Sequence, residues 1–196
     1  VPETTYKKHY IAIFASGTGS NAIRIMAHFR DHPQVAVALV VSNKPNAPVL
    51  AGAEANGVPT LVVDRTEFYG TEELLEKLAH YRITFIVLAG FLWLIPRYLV
   101  RAFEGRMINI HPALLPAYGG KGMYGMHVHQ AVKRDGVTRT GITIHQVNEH
   151  YDEGQAVFQA ECPVLPEDTP EDIARKVQQL EHQHFAPVLE QLLLTT

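Results

Sequence analysis

Arg106-Met107-Ile108-Asn109-Ile110-His111-Pro112-Ala113-Leu114-Leu115-Pro116 is the stretch of this chain from which the fold is read. Ile108 and Ile110 alternate with Asn109 and His111, a period of two that predicts a strand. The alternation sends the Asn109 and His111 side chains to one face, about 7 Å apart at their bases. Pro112 cannot donate to a sheet ladder, so the strand is expected to stop before it. An amide and an imidazole are thereby delivered side by side at a strand's carboxyl end, the edge where open α/β sheets bind ligands.

Upstream of this strand, apolar β-rich runs alternate with helical patterns. Strands are expected over 10–15, 35–41, 60–63, 85–89 and 107–110. Helices are expected after the Ser16-Gly17-Thr18-Gly19-Ser20 turn to about Arg30, over 47–56 with Gly57 closing it, over 71–81, and over 96–103 with Pro96 in the first turn. Strands spaced by helices in this way predict βαβ units and a parallel sheet. Downstream the character changes. Tyr118-Gly119-Gly120-Lys121-Gly122 is a glycine-dense loop, 126–133 a helix, and 140–147 and 156–164 are strands. The 148–154 link between those strands is too short for a helical crossover, so they are expected to run antiparallel. Thr169-Pro170-Glu171-Asp172 caps a final helix over 170–194. The fold class is α/β: one doubly wound, mostly parallel sheet with late antiparallel strands, in a single domain over 1–196.

Composition narrows the function classes. At 196 residues with 46% hydrophobic residues, one domain with a substantial core is expected. A formal charge of −3 and a pI near 6.4 carry no electrostatic footprint for nucleic acid or an anionic membrane. Apolar runs such as Ile86-Val87-Leu88-Ala89 fall far short of a membrane span. Tyr6-Lys7-Lys8-His9-Tyr10 leads directly into an apolar strand, so no signal peptide is expected, and the lone Cys162 suits a reducing compartment. A cytoplasmic protein that uses small-molecule substrates, as a monomer or homodimer, is the expectation.

Strand, then Ser16-Gly17-Thr18-Gly19-Ser20-Asn21-Ala22, then helix is an anion-binding arrangement, in which backbone N–H groups and the helix dipole favour a phosphate. Gly17-x-Gly19-x-x-Ala22 also fits the dinucleotide fingerprint, but the second strand ends Val41-Ser42-Asn43-Lys44 without the acid that would hold a ribose. The plainer alternative is a tight turn capped by Ser20 or Asn21. Asp152, in Tyr151-Asp152-Glu153-Gly154, completes a set with Asn109 and His111. An amide donates to an oxyanion, an imidazole trades protons, and a carboxylate holds the imidazole, which suits acyl transfer to a substrate amine. His111 alone reads equally as a histidine bonded into a turn, which leaves Asn109 on the same face unexplained. His127 and His129, with His145, His150 and Asp152 nearby in sequence, suggest zinc, yet lack an HExxH pairing, so no metal is expected. His127 is expected instead to brace the active site.

Asn109-Ile110-His111-Pro112-x-Leu114-Leu115-Pro116, Ser16-Gly17-x-Gly19-Ser20-Asn21 and Leu88-Ala89-Gly90-Phe91 resemble the phosphoribosylglycinamide formyltransferases, the folate-dependent enzymes of purine synthesis. The resemblance continues through Met126-His127-x-His129, Asp152-x-Gly154 and Val177-Gln178-Gln179-Leu180-Glu181-His182. It implies a formyltransferase-like Rossmann variant that moves the formyl group of the co-substrate 10-formyltetrahydrofolate to the glycinamide amine of a phosphoribosyl substrate. By the same resemblance Asn109 polarises the formyl oxygen, His111 is the general acid, and Asp152 raises the pKa of His111 and helps water shuttle a proton. Gly19, Ser20 and Asn21 match the phosphate loop. Gln178, Gln179, Leu180 and Glu181 match the segment over the ribose, with Glu181 as hydroxyl partner. Leu92, Trp93, Leu94 and Ile95, with Asn109 and with Asn148, Glu149, His150, Tyr151 and Asp152, match the lining of the pterin pocket.

The chain departs from that pattern at Thr71, Trp93 and Ala117, where basic residues are common, and in a longer Tyr118–Gly125 loop. These changes bear on how the folate's glutamate tail is held. A formyltransferase for initiator methionyl-tRNA shares the Asn-x-His-Pro strand but is expected to carry a further basic domain. A formyltetrahydrofolate hydrolase shares the reacting set but is expected to carry an N-terminal regulatory domain. A nucleotide-sensing domain would use the glycine loop alone and leave Asn109, His111 and Asp152 without a purpose.

Overall fold

The computed structural model describes residues 8–195, which divide into two compact units, 8–91 with 190–195 and Leu92–Leu189. Tyr6 and Lys7, ahead of the first strand, lie outside the described residues.

The first unit runs β1 (His9–Phe14), α1 (Ser20–His28), β2 (Val35–Ser42), α2 (Pro48–Ala55), β3 (Thr60–Val62), α3 (Arg65–Gly70), α4 (Glu73–His80) and β4 (Phe85–Leu88). β1 pairs in parallel with β2 on one side and β4 on the other, and β2 pairs in parallel with β3. β1 is therefore interior, and Ile11, Ala12, Ile13 and Phe14 have no exposed surface. That is why it reads as an unbroken apolar run rather than an alternating one. The chain order β1, β2, β3 grows to one side and β4 returns to the other, so the order reverses beside β1. The backbone N–H of Ser16, just after β1, donates to the Gly90 carbonyl just after β4 at 3.0 Å, closing that reversal point.

α3 was not expected from the periodicity. Asp64 caps it by accepting the Glu67 N–H at 2.9 Å, and Asp64-x-x-Glu67 is the short signal that marks its start. The helix expected from Thr71 accordingly begins at Glu73, and Thr71 lies in extended backbone between the two helices (φ −136°, ψ 172°).

The second unit runs α5 (Arg97–Ala102), β5 (Met107–His111), α6 (Met126–Arg134), β6 (Arg139–Gln146), β7 (Ala156–Pro163) and α7 (Pro170–Leu194), whose last residues count with the first unit. Pro96 stands just outside α5 in extended backbone rather than within its first turn. β5 ends at His111, before Pro112, as its missing donor requires. β6 pairs antiparallel with β5 and with β7. Parallel strands in the first unit and antiparallel strands in the second match the expected fold class.

α7 opens on a reciprocal cap: the Asp172 N–H donates to Thr169 Oγ1 at 3.1 Å, and the Thr169 N–H to Asp172 Oδ2 at 2.9 Å. Its Ile173, Val177, Phe185, Leu189 and Leu193 are buried. Thr169→Ala removes the hydroxyl acceptor and is expected to lower stability by about 1 kcal/mol. Urea unfolding followed by circular dichroism measures this, and an unchanged midpoint would show that the cap carries no stability.

Candidate active site

The β5–β6 ladder sets Asn109 opposite His145 and His111 opposite Thr143. Directly paired residues in a sheet share a face, so one surface carries an amide, two imidazoles and a hydroxyl. Asp152 joins them from the loop after β6. Its left-handed backbone, φ 56°, is a conformation that aspartate tolerates better than most residues. Asp152 Oδ1 lies 3.5 Å from Asn109 Nδ2 and 3.5 Å from His145 Nε2. Asp152 Oδ2 accepts the Gly120 N–H at 3.0 Å and lies 3.5 Å from His111 Nδ1. The three residues expected to converge do so.

The surrounding backbone holds that arrangement. Val147 N–H donates to the Met107 carbonyl at 3.0 Å and Gln146 N–H to the Gln155 carbonyl at 2.9 Å, closing the neck of the Asp152 loop. Gly154 sits so close to β6 that a Cβ there would lie 1.6 Å from the Gln146 oxygen, so no larger residue fits. Glu149, in the same loop, receives Arg97 Nε at 2.7 Å and lies 3.5 Å from Arg101 Nε. Both arginines belong to α5, which directly follows Leu92, Trp93, Leu94 and Ile95. The two stretches matched to the pterin lining are thus tied together within one unit.

Thr143 pins the turn after His111. Its hydroxyl donates to the Ala113 carbonyl at 2.7 Å and accepts the Leu115 N–H at 3.0 Å and Gln159 Nε2 at 2.9 Å. The glycine-rich loop then returns to the site, and the Tyr118 carbonyl accepts the His111 Nε2–H at 2.7 Å. A carbonyl only accepts, so this contact places a hydrogen on Nε2 and leaves Nδ1 to gain or lose the second proton, facing Asp152.

His111 is 4% exposed, and burial lowers its pKa below the ordinary histidine value. The Asp152 charge and the Tyr118 carbonyl raise it, and burial outweighs both. The expectation that Asp152 raises this pKa holds for the contribution of the charge, while the net direction is downward. For Asp152, burial pushes the carboxyl up, but the charge of protonated His111 and the Gly120 N–H help to hold it below the usual range.

His145 is the residue that sequence reasoning passed over. It is 3% exposed and touches both Asn109 and Asp152, whereas the sequence offers it only as a neighbour for zinc. The available signal was the alternation Thr143-x-His145 on a strand able to pair with Asn109-x-His111. His127, expected to brace the site, is exposed at the start of α6, with its Nδ1 3.3 Å from the Gly122 carbonyl oxygen. The buried member of that pair is His129, whose pKa is lowered by burial and by proximity to His111. Among the described residues, no group of three or more His, Cys, Asp or Glu is arranged to hold a metal ion. No helix among them is long and apolar enough to cross a membrane.

In the first unit the helix α1 begins behind Gly19, which occupies the cap position with φ 73° and no side-chain cap. The cap position thus falls on Gly19 rather than on Ser20 or Asn21. Gly19 is required twice, by its left-handed backbone and because a Cβ would lie 2.2 Å from Val49 Cγ2. Ser16 Oγ donates to Asn43 Oδ1 at 2.6 Å, at the place where a dinucleotide site would carry an acid. Gln178 and Gln179 are exposed on α7, and Leu180 and Glu181 half-buried.

The family described as formyl transferase matches residues 9–189. Phosphoribosylglycinamide formyltransferase of Bacillus subtilis is 36% identical over 187 residues, covering 93% of each chain. The chloroplastic phosphoribosylglycinamide formyltransferase of Arabidopsis thaliana is 41% identical over 189 residues, which are 93% of this chain, and the chain spans 65% of that protein's length. The crystal structure of phosphoribosylglycinamide formyltransferase from Bacillus halodurans superposes with a TM-score of 0.84 at 36% identity, covering 94% of this chain and 95% of that one. With the family matching residues 9–189 and a relative 36% identical over 93% of each chain, the chain belongs to the formyl transferase family.

Proposed function

We propose that the protein transfers the formyl group of 10-formyltetrahydrofolate to the glycinamide amine of 5-phosphoribosylglycinamide in purine biosynthesis, as one formyltransferase domain. The observation that carries this reading is the Asp152 carboxylate lying within 3.5 Å of both Asn109 and His111. The names of the relatives supply the acceptor and the formyl group, and the folate donor rests on the resemblance of the sequence.

Asn109, His111, His145 and Asp152 carry no hydroxyl or thiol, and the Thr143 hydroxyl on the same face is committed to Ala113, Leu115 and Gln159, so the nucleophile is the substrate's amine. As that amine attacks the formyl carbon, Asn109 donates an N–H to the developing oxyanion, a contact worth roughly 10²–10³ in rate. His111 carries the transferred proton on Nδ1, beside Asp152, and water next to the carboxylate passes it toward the leaving folate nitrogen. Gly19, Ser20 and Asn21 hold the substrate phosphate at the start of α1. Gln178, Gln179, Leu180 and Glu181 cover the ribose. Leu92 to Ile95 and Asn148 to Asp152 line the pterin.

A formyl-transfer assay with purified protein, both substrates, and water alone as the control acceptor tests this directly. Transfer that depends on the amine supports the reading, and formyl release of equal rate without it overturns the reading in favour of hydrolysis. Asn109→Ala is expected to lower kcat by roughly 10²–10³, and His111→Ala by roughly 10²–10⁴, with unchanged circular dichroism. Turnover at the wild-type level in either variant would remove that residue from the mechanism.

The pH dependence has a definite sign. With His111 as the acid, rate falls as pH rises through its pKa, which burial places below about 6.5. Asp152→Asn removes the charge that opposes burial, so the alkaline limb of kcat/KM is expected to move to lower pH. A limb that stays in place would show that the carboxylate does not act through the imidazole.

A further inference from the structure

The Asn109 side chain can present either end of its amide, and only the N–H end stabilises an oxyanion. Its orientation is therefore a requirement of the chemistry, and the strand that carries it leaves that orientation open. The side chain opposite it on β6 is His145, in direct register. His145 Nδ1 lies 2.8 Å from the Gln146 carbonyl oxygen, which can only accept, so Nδ1 carries hydrogen. In the neutral ring Nε2 is then a bare acceptor, and Asn109 Nδ2 lies 3.1 Å from it.

The competing arrangements are worse. A ring protonated on both nitrogens would set an N–H against the Asn109 NH₂, two donors facing each other at 3.1 Å, while Asp152 Oδ1 is farther away at 3.5 Å. A flipped Asn109 would put its carbonyl oxygen 3.5 Å from Asp152 Oδ1, two acceptors with no proton between them. The β6–β7 register shifts between Ile144 and His145, an irregularity of the kind that re-aims a side chain beside a site.

We infer that His145 is a positioning residue: its Nδ1–H on the Gln146 carbonyl makes Nε2 an acceptor, which fixes the Asn109 amide with its nitrogen toward the reacting centre. One amide hydrogen is held by His145 at 3.1 Å, and the other, held by Asp152 Oδ1 only over a long contact of 3.5 Å, is the one that turns to the oxyanion. The kinetic consequence rests on the formyl-transfer reading, whereas the geometry stands without it.

Two measurements test this. In ¹⁵N-labelled wild-type protein at pH 8, two-bond ¹H–¹⁵N spectra, with His145 assigned by its loss in His145→Gln, are expected to show the proton on Nδ1. In the transfer assay His145→Phe is expected to lose roughly tenfold to a hundredfold in kcat, the scale of a misplaced catalytic group, with KM for both substrates nearly unchanged. His145→Gln, whose carbonyl oxygen can replace the Nε2 acceptor, is expected to recover most of that loss. A proton on Nε2, wild-type kcat in His145→Phe, or equal loss in both variants would overturn the inference. If His145→Phe fails to fold, the tautomer decides. If the wild-type protein transfers no formyl group, the proposed function falls and the tautomer still decides the assignment of His145.

Discussion

Asp152 divides its two oxygens between two parts of the second unit. One oxygen faces the β5–β6 pair Asn109 and His145, and the other takes the Gly120 N–H and faces His111. A carboxylate whose side chain is 11% exposed must be matched on both oxygens, because removing it from water carries a cost of several kcal/mol that only close partners offset. The consequence is geometric as much as energetic. The two loops on either side of the strand pair, 112–125 and 147–154, are both committed to positions from which they can serve this one group. Thr143 does the same for the turn after His111 with a hydroxyl that satisfies three backbone and side-chain partners at once.

Burial and charge oppose each other at His111, and the balance defines its chemistry. An imidazole closed in by protein resists protonation, while a carboxylate beside it favours protonation. The result is a ring that holds its second proton weakly and releases it readily, on the nitrogen that faces Asp152. The Tyr118 carbonyl removes the ambiguity of tautomer at His111, as the Gln146 carbonyl does at His145. Backbone acceptors thus assign the protons in both rings, leaving the side chains free to act.

The first unit uses a different principle. Its strands β1 and β4 are buried along nearly their whole length, so their side chains serve the core and polar chemistry is confined to the loops at their ends. The turn after β1 owes its shape to Gly19, where α2 approaches too closely for any side chain. In the antiparallel second unit, cross-strand neighbours share a face, and polar groups can be carried on the strands themselves.

How much of this was legible in the sequence depends on the range of the interaction. Period-two alternation through Ile108 to His111, glycines at the first turn and the Thr169 cap are local, and each located its element. The strand positions to within about a residue, the parallel pairs of the first unit and the antiparallel β6–β7 pair followed from spacing, whereas the antiparallel β5–β6 pair did not. The helix after Asp64 escaped because it is too short for periodicity, its capping pattern being the only sign. Sequence by itself determined that Asn109 and His111 share a face, because a strand has no other way to place alternate residues. Only the tertiary structure decided that His145, rather than His127, touches Asn109 and Asp152, because strand register is a long-range choice. The register shift beside His145 and the close approach at Gly154 exist only once β6 has met its partners.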